Sequence, residues 1–158
     1  MQTFLPYPDF YKSADCLDWQ FSHNRLNNQI NEGIVIAKSL LGMYPEGKGW
    51  NNHPATKMWK GYELSLINYT LVCLERWNDK KMCNDINRLD FLASIREDIL
   101  DVGMSENYPD WFGNDKFHSA HRSILLAKMP QWYSQFGWTE TPAVKDERGR
   151  WPYYWPVK

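Results

Sequence analysis

Apolar residues recur at helical spacing in the first long segment of the chain. They stand three or four positions apart, as on a helix that buries one face: Leu26, Ile30, Ile34, Ala37 and Leu41. Pro6 and Pro8 exclude a helix before them. The pattern therefore predicts a short extended start and one helix over residues 14 to 41, beginning near Ser13 or Asp15.

Two further long helices are predicted in the same way. Pro54 suits the first turn of a helix that continues to about Trp77. Its inward positions are Met58, Tyr62, Leu66, Tyr69 and Cys73. An acidic third helix spans roughly Asp85 to Leu100, and its predicted inward positions are Ile86, Leu89, Ala93 and Leu100.

The rest of the chain is mostly irregular. Residues 103 to 117 read as a loop, and a short fourth helix from about His118 to Lys128 is stopped by Pro130. The tail from Gln131 is rich in proline and aromatic residues without periodicity. We predict an all-α class, one compact domain over residues 1 to 158, with three main helices, a short fourth and an aromatic-rich C-terminal tail.

Composition limits the protein class. A chain of 158 residues has the size of one domain, and nine Trp and nine Tyr are an unusual excess. It has no run of eighteen apolar residues and no signal-peptide pattern, so we predict neither a membrane span nor secretion. We predict a cytoplasmic location. Cys16, Cys73 and Cys83 lack C-x-x-C spacing, which favours reduced structural thiols.

Charge is uneven along the chain. The net charge of −1 argues mildly against a simple nucleic-acid binder, for which a basic balance is usual. Residues 79 to 110 carry eight acidic and four basic side chains, whereas residues 111 to 158 carry four acidic and seven basic ones. A basic face elsewhere on the molecule therefore remains possible, because the local charge pattern sets the local field.

Three polar side chains share one stripe of the first helix. Arg25, Gln29 and Glu32 stand at i, i+4 and i+7, so a cation, an amide and a carboxylate lie about a turn apart. Such a stripe can hold a phosphate and do acid/base work. The structural alternatives are a solvent-facing Glu32 and an Arg25 that pairs with Asp18 or Glu32.

Five sequence blocks carry a family resemblance. They are the opening MQTFLPYPDF, R-L-x-x-Q-x-x-E from Arg25, G-W-x-x-H-P-A-x-x-M-W-x-G-Y from Gly49, F-H-x-x-H-R-S-x-L-L from Phe117 and P-x-W-Y-x-x-F-G-W from Pro130. Together they cover most of the chain. The chain resembles a bacterial and phage subfamily of the pyrimidine-dimer DNA glycosylases.

The resemblance implies an activity and a catalytic residue. It implies a DNA N-glycosylase that excises a damaged or modified base from duplex DNA, with Glu32 as the catalytic carboxylate. Chemistry agrees, because N-glycosidic cleavage develops oxocarbenium charge that a nearby carboxylate stabilises. Arg25 would then grip a phosphate, and Gln29 would read a base edge or orient Glu32. No cofactor is implied.

The chain departs from the family pattern at two places. The family uses arginines close to its glutamate, but Asn31 and Gly33 flank Glu32 here. The family's phage enzyme attacks the sugar through the α-amine of a threonine exposed by loss of the initiator Met, whereas this chain begins Met1-Gln2-Thr3. Either the amine of Met1 is the nucleophile, with Gln2 beside it as a substrate contact, or water is. We favour water, so a lyase step is doubtful.

The remaining polar candidates for substrate binding are His53, His118, His121 and Arg122. His118 and His121 lie one turn apart, but no fourth ligand or H-E-x-x-H spacing accompanies them, so we predict no metal site. Histidines near a helix start more often make N-terminal hydrogen bonds. The resemblance matches Arg122 to an arginine that meets DNA phosphate, and the alternative is a salt bridge to the acidic helix.

The aromatic residues allow two interpretations. In the related family the segment that matches Trp132 and Tyr133 presses into the minor groove of kinked DNA, and bases stack on such rings. Alternatively the tail wraps back and seals the helices, which we favour for Trp138 and for residues 151 to 155. Trp50, Trp59 and Tyr62 are predicted to be core or pocket wall.

Two rival functions remain beside the DNA glycosylase. One is an N-glycosidase or hydrolase that acts on free nucleosides or nucleotides, and the other is a non-catalytic module that binds a nucleotide or a partner. A protein that binds duplex DNA needs a concave and locally positive face. We expect that face to carry Arg25, Gln29, Glu32, His118, Arg122 and Trp132.

Overall fold

The computed structural model describes residues 2–21, 24–45 and 47–156, and these residues form helices and loops without a strand. The helices are α1 (Phe10–Cys16), α2 (Arg25–Leu40), α3 (Pro54–Trp59), α4 (Glu63–Lys81), α5 (Ile86–Asp101), α6 (Asp115–Lys128) and α7 (Pro130–Tyr133), followed by a 3-10 turn (Ser134–Phe136). The predicted all-α class is confirmed.

The first predicted helix is two helices, α1 and α2. Asp9 caps α1 by accepting the Lys12 N–H at 2.7 Å, and the extended backbone of Leu17 ends it. Asn24 starts α2 by accepting the Asn27 N–H at 3.0 Å. The expectation of one continuous helix from residue 14 is therefore wrong, because each side-chain cap gives the chain a new helix start.

The second predicted helix is also divided. α3 begins where expected, with Pro54 in its first turn, but the chain breaks at Gly61, whose φ of 86° is open mainly to glycine. Glu63 accepts the Gly61 N–H at 2.9 Å as α4 begins. The inward positions predicted for this stretch are nevertheless buried, except for the half-buried Tyr62.

Helix α5 has nearly the predicted bounds but a different buried face. Ile86, Leu89 and Leu100 are exposed, whereas the buried apolar residues are Leu92, Ile95 and Ile99. The helix carries two apolar stripes, and periodicity alone does not choose between them. Packing against α4 selects the second stripe.

The C-terminal third contains more helix than predicted. α6 starts at Asp115, three residues early, because Asn114 caps it by accepting the Lys116 N–H at 3.0 Å. Pro130 follows the end of α6 and also opens the short helix α7. Proline suits that first position, since its missing N–H would have no helical partner there.

Helix α4 is the centre of the packing, with α1, α2 and α5 against it. Gly33 lets α2 approach closely, because a Cβ built on it would lie 2.2 Å from Thr70 Oγ1. The buried apolar side chains form one core. No helix among the described residues is long and apolar enough to cross a membrane.

The aromatic tail packs onto this core. Trp138 stacks on Tyr133 with ring centroids 5.6 Å apart and donates its indole N–H to the Tyr7 hydroxyl at 2.7 Å. The rings of Trp151, Tyr153 and Trp155 are half-buried against the core. The interpretation of a tail that wraps back over the helices is thereby supported for these positions.

Candidate active site

The extended N-terminal segment, residues 2–7, passes through the interior of the molecule. Its residues from Gln2 to Leu5 are buried. The Phe4 N–H donates to Gln29 Oε1 at 2.6 Å, and the Phe4 carbonyl accepts the Tyr69 hydroxyl at 2.6 Å. The Trp59 indole donates to Thr3 Oγ1 at 2.9 Å. Side chains from three helices thus make the hydrogen bonds to this backbone that a neighbouring β-strand would otherwise make.

Two histidines of α6 hold the backbone of Leu5. His121 Nδ1 accepts the Leu5 N–H at 2.9 Å, and His118 Nδ1 donates to the Leu5 carbonyl at 2.7 Å. His118 Nε2 also accepts the Gly113 N–H at 3.0 Å. Both rings are buried, and both form hydrogen bonds with the backbone. Among the described residues no group of three or more His, Cys, Asp or Glu side chains forms a metal site.

These bonds fix the protonation of His121. Because Nδ1 accepts a backbone N–H, the neutral ring carries its proton on Nε2, which lies 2.6 Å from the side-chain amide of Gln2. That proton requires the amide oxygen of Gln2 to face the ring. Burial lowers the pKa of His121 to about 3, so the ring is neutral at physiological pH.

We expect a pH-dependent loss of stability from His121. Its folded-state pKa of about 3 lies below its ordinary value of 6.5, so the unfolded chain binds the proton more tightly. The stabilisation is complete above pH 6.5 and declines as pH falls toward 3, by up to about 1.4 kcal/mol per unit. Urea unfolding of wild type and His121→Asn between pH 7 and 4 measures it. A variant with the same pH slope as wild type would contradict this role.

Glu32 is held beside the first residues of the chain. Its Oε2 accepts the backbone N–H of Gln2 at 3.0 Å and the side-chain amide of Gln29 at 3.3 Å. Gln29 also donates to the Gln2 carbonyl at 3.1 Å, so it ties the carboxylate to the N-terminal segment. Burial raises the pKa of Glu32, and the bonds from Gln2 and Gln29 oppose that rise.

A cavity of about 270 Å³ adjoins this carboxylate. Its lining residues are Gln2, Phe4, Arg25, Asn28, Gln29, Glu32, Lys128 and Tyr153. The stripe predicted on α2 therefore does face one concave site. Lys128 and Tyr153 were missed, since they lie about a hundred residues away in sequence and no local pattern links them to α2.

Arg25 pairs with Asp18, one of the two structural partners that its position in the sequence allowed. Its Nη1 donates to Asp18 Oδ1 at 2.9 Å, and its backbone N–H donates to Asp18 Oδ2 at 3.1 Å. The Tyr133 hydroxyl donates to the same Asp18 at 2.5 Å. Asp18 and Tyr133 are fully buried. This cluster of three side chains anchors the start of α2 and so positions the cavity, while Arg25 still lines it.

Helix α5 brings a cation to the surface of α2. Arg88 Nη1 donates to the side-chain oxygens of Asn27 at 2.8 Å and Asn31 at 3.2 Å, while Arg88 Nε pairs with Asp85 at 2.6 Å. Arg88 therefore brings a guanidinium to α2 from another helix and does not line the cavity. An arginine cannot stand at position 33 itself, because α4 occupies the space of a side chain there.

Other predicted site residues lie away from the cavity. His53 caps α3 by accepting the Ala55 N–H at 3.1 Å. Arg122 pairs with Glu140 of the tail at 2.7 Å and donates to the Pro6 carbonyl, so its acidic partner is not in α5. The Trp132 indole donates to the Cys16 carbonyl at 2.8 Å. The expected face that joins these residues to Glu32 is not the lining of this cavity.

Three further observations complete the placement of the predicted residues. Met1 lies outside the described residues. Tyr133 is fully buried, so its ring is not presented at the surface as a wedge. Trp50 is exposed and meets His53 edge-on at 4.9 Å, whereas Trp59 is buried in the core.

A larger groove of about 730 Å³ lies between α1, α4 and α5. Asp9, Glu75, Asp79 and Glu106 are among its lining residues, and these carboxylates would repel a phosphate. The stripe of α2 does not reach it. We therefore assign the candidate active site to the smaller cavity at Glu32.

Comparison with known proteins identifies a family for the chain. A family model described as pyrimidine dimer DNA glycosylase matches residues 1–90, which include the N-terminal segment, Arg25, Gln29 and Glu32. Searches of curated proteins and of solved structures return no significant match. Residues 91–158, which contribute Lys128 and Tyr153 to the cavity, lie beyond the matched segment.

Proposed function

The chain belongs to the pyrimidine dimer DNA glycosylase family, and we propose on this premise that it excises a base of a pyrimidine dimer from duplex DNA with Glu32 as its catalytic carboxylate. The observation that carries the proposal is the placement of Glu32 at a cavity, oriented by Gln2 and Gln29.

The arrangement of bonds leaves part of the carboxylate available. Both hydrogen bonds to Glu32 end on Oε2, and Oε1 has no partner in the described part of the chain. As the N-glycosidic bond breaks, the deoxyribose gains oxocarbenium character, which a fixed negative oxygen stabilises. The same oxygen can take a proton from an attacking water, and the raised pKa of Glu32 improves it as a base.

Cavity size supports a large substrate that enters only in part. At about 270 Å³ the cavity is slightly below the usual range of small-ligand pockets, roughly 300 to 1,000 Å³. A sugar presented from a nucleic-acid strand needs less room than a whole nucleotide. For Glu32 to reach a sugar in a duplex, the target nucleotide must leave the stack or the duplex must kink.

The proposal assigns the grip on the strand to two arginines. Asp18 takes one nitrogen of the Arg25 side chain, and the Arg25 side chain also lines the cavity. Arg88 is fixed on the outer side of α2 by Asn27 and Asn31, and its Nη2 has no partner among the described residues. We assign phosphate contacts to both, since a guanidinium forks onto phosphate oxygens.

Binding to duplex DNA should depend steeply on salt. With phosphate contacts from Arg25 and Arg88, a plot of log K against log salt should be linear with a slope of about −2 or steeper, and Arg88→Ala should make it shallower by roughly one. Fluorescence anisotropy of a labelled duplex measures this. Arg76→Ala is the matched control, because Arg76 is enclosed by Asp15, Glu75 and Asp79 and should leave the slope unchanged.

The direct test of the proposed function uses a duplex that contains one pyrimidine dimer. Incubation with the protein should create an alkali-labile abasic site at the dimer and none in an undamaged duplex. No DNA binding at low salt, combined with hydrolysis of free nucleosides, would replace this proposal with the small-substrate function. Binding of nucleotides without any turnover would favour the non-catalytic module.

A further inference from the structure

Lys128 is a charged residue at the active-site cavity that neither the family match nor the α2 stripe includes. It is the last residue of α6, and its side chain lines the cavity together with Glu32. Its Nζ lies 5.8 Å from the Phe4 ring centroid and 5.2 Å from the Trp151 ring centroid. No hydrogen bond or ion pair joins Lys128 to another residue within the described ranges.

The surroundings of Lys128 disfavour its charge. Burial lowers the pKa of Lys128, and the positive charges of Arg25 and Lys145 lower it further, while Glu32 acts in the opposite direction. The lowered pKa gives Lys128 a larger fraction of neutral amine than an exposed lysine has at the same pH. A neutral amine is a nucleophile, and this is a known way to activate a lysine.

We propose that the ε-amine of Lys128 attacks C1′ of the abasic deoxyribose left in the cavity after base release, and so gives the protein a strand-cleaving lyase activity. This inference rests on the proposed function for its substrate, an abasic site in DNA. It assigns to Lys128 a lyase step that follows base release, for which the sequence offered only the N-terminal amine.

The reaction balances without an oxidant or reductant. The open-chain abasic sugar carries an aldehyde at C1′, where the Lys128 nitrogen forms a bond and the carbonyl oxygen leaves as water, giving an imine. Glu32 then removes a proton from C2′, and that electron pair forms the C2′–C3′ double bond. The C3′–O bond breaks, and the phosphate on that side leaves with its electron pair. Water finally hydrolyses the imine and restores the amine.

The N-terminal amine is the competing nucleophile. The Gln2 N–H donates to Glu32, so residue 1 is attached directly beside the carboxylate, although Met1 itself is not among the described residues. A test must therefore identify which amine becomes bonded to the sugar. Borohydride does this, because it reduces the imine to a stable bond between protein and DNA.

The experiment uses a duplex with one preformed abasic site and borohydride, so it does not depend on excision. We expect wild type to be trapped, with peptide mass placing the adduct on Lys128. Lys128→Arg, which keeps the charge, and the nearly isosteric Lys128→Met should each reduce trapping by about 100-fold or more. Trapping by wild type should rise with pH to a midpoint below the ordinary lysine pKa of 10.5.

Lys116→Ala is the matched control. Lys116 is an exposed lysine of the same helix α6 and does not line the cavity, so its removal should leave trapping within about twofold of wild type. An adduct on residue 1, or no adduct although the abasic duplex is bound, overturns the role of Lys128. A Lys128 adduct in a protein that excises no dimer base would instead refute the proposed glycosylase step.

Discussion

Replacing Glu32 with Gln is expected to slow excision of pyrimidine dimers by about 100-fold or more while the protein stays folded. The side chains have nearly the same shape, and an amide oxygen can still accept the bonds from Gln2 and Gln29. In the proposed mechanism the variant loses the negative charge that stabilises the oxocarbenium sugar and the base that takes the proton of water. Single-turnover release of abasic sites from a dimer-containing duplex measures the effect.

A carboxylate elsewhere provides the control for this prediction. Glu97 is exposed on α5, so Glu97→Gln should excise at the wild-type rate. Circular dichroism and duplex affinity should match wild type for both variants, which separates chemistry from folding and binding. A Glu32→Gln protein with undiminished excision would show that another group does the chemistry.

The second large effect concerns the stability of the Asp18 cluster. Asp18→Ala should lower the free energy of unfolding by about 3–5 kcal/mol, because it leaves the Arg25 guanidinium and the Tyr133 hydroxyl without their buried partner. It also removes an acceptor for the Arg25 backbone N–H at the start of α2. Urea unfolding followed by circular dichroism measures the change, and excision should fall in parallel because α2 carries Glu32.

The paired control is an ion pair on the surface. Asp146 and Arg150 lie 2.8 Å apart, but their side chains are 42% and 66% exposed. Asp146→Ala should change the unfolding free energy far less than Asp18→Ala does, since solvent screens such pairs. Equal losses in the two variants would show that burial of Asp18 does not set its contribution.

Local periodicity predicted the parts of the site that lie on one helix. Arg25, Gln29 and Glu32 are separated by whole turns of α2, so their shared face follows from helix geometry alone. The hydrogen bonds that Gln2, His118 and His121 make could not be predicted from helix geometry. Their bonds join residues more than a hundred positions apart, and the sequence marks no such pairing.

The errors in helix boundaries have local physical causes. Asp9, Asn24 and Asn114 each cap a helix, and a closer reading of capping residues would have placed these starts. The error in the inward face of α5 has another cause. The helix has two apolar stripes, and only its contact with α4 determines which of them is buried. Lys128 reaches the cavity, and Arg88 reaches the neighbouring surface of α2, from other helices, which tertiary packing alone determines.

The buried N-terminal segment also constrains the order of folding. Residues 2–5 leave the ribosome long before residues 118–121, yet the backbone of Leu5 is held by His118 and His121. Helices α1 to α5 can associate through local contacts, but the first residues cannot reach their final positions until α6 has been synthesised. Pairing over such a separation is slow compared with helix formation. Because Gln2 also bonds to Glu32, the geometry of the candidate site is completed only when the N-terminal segment has met α6.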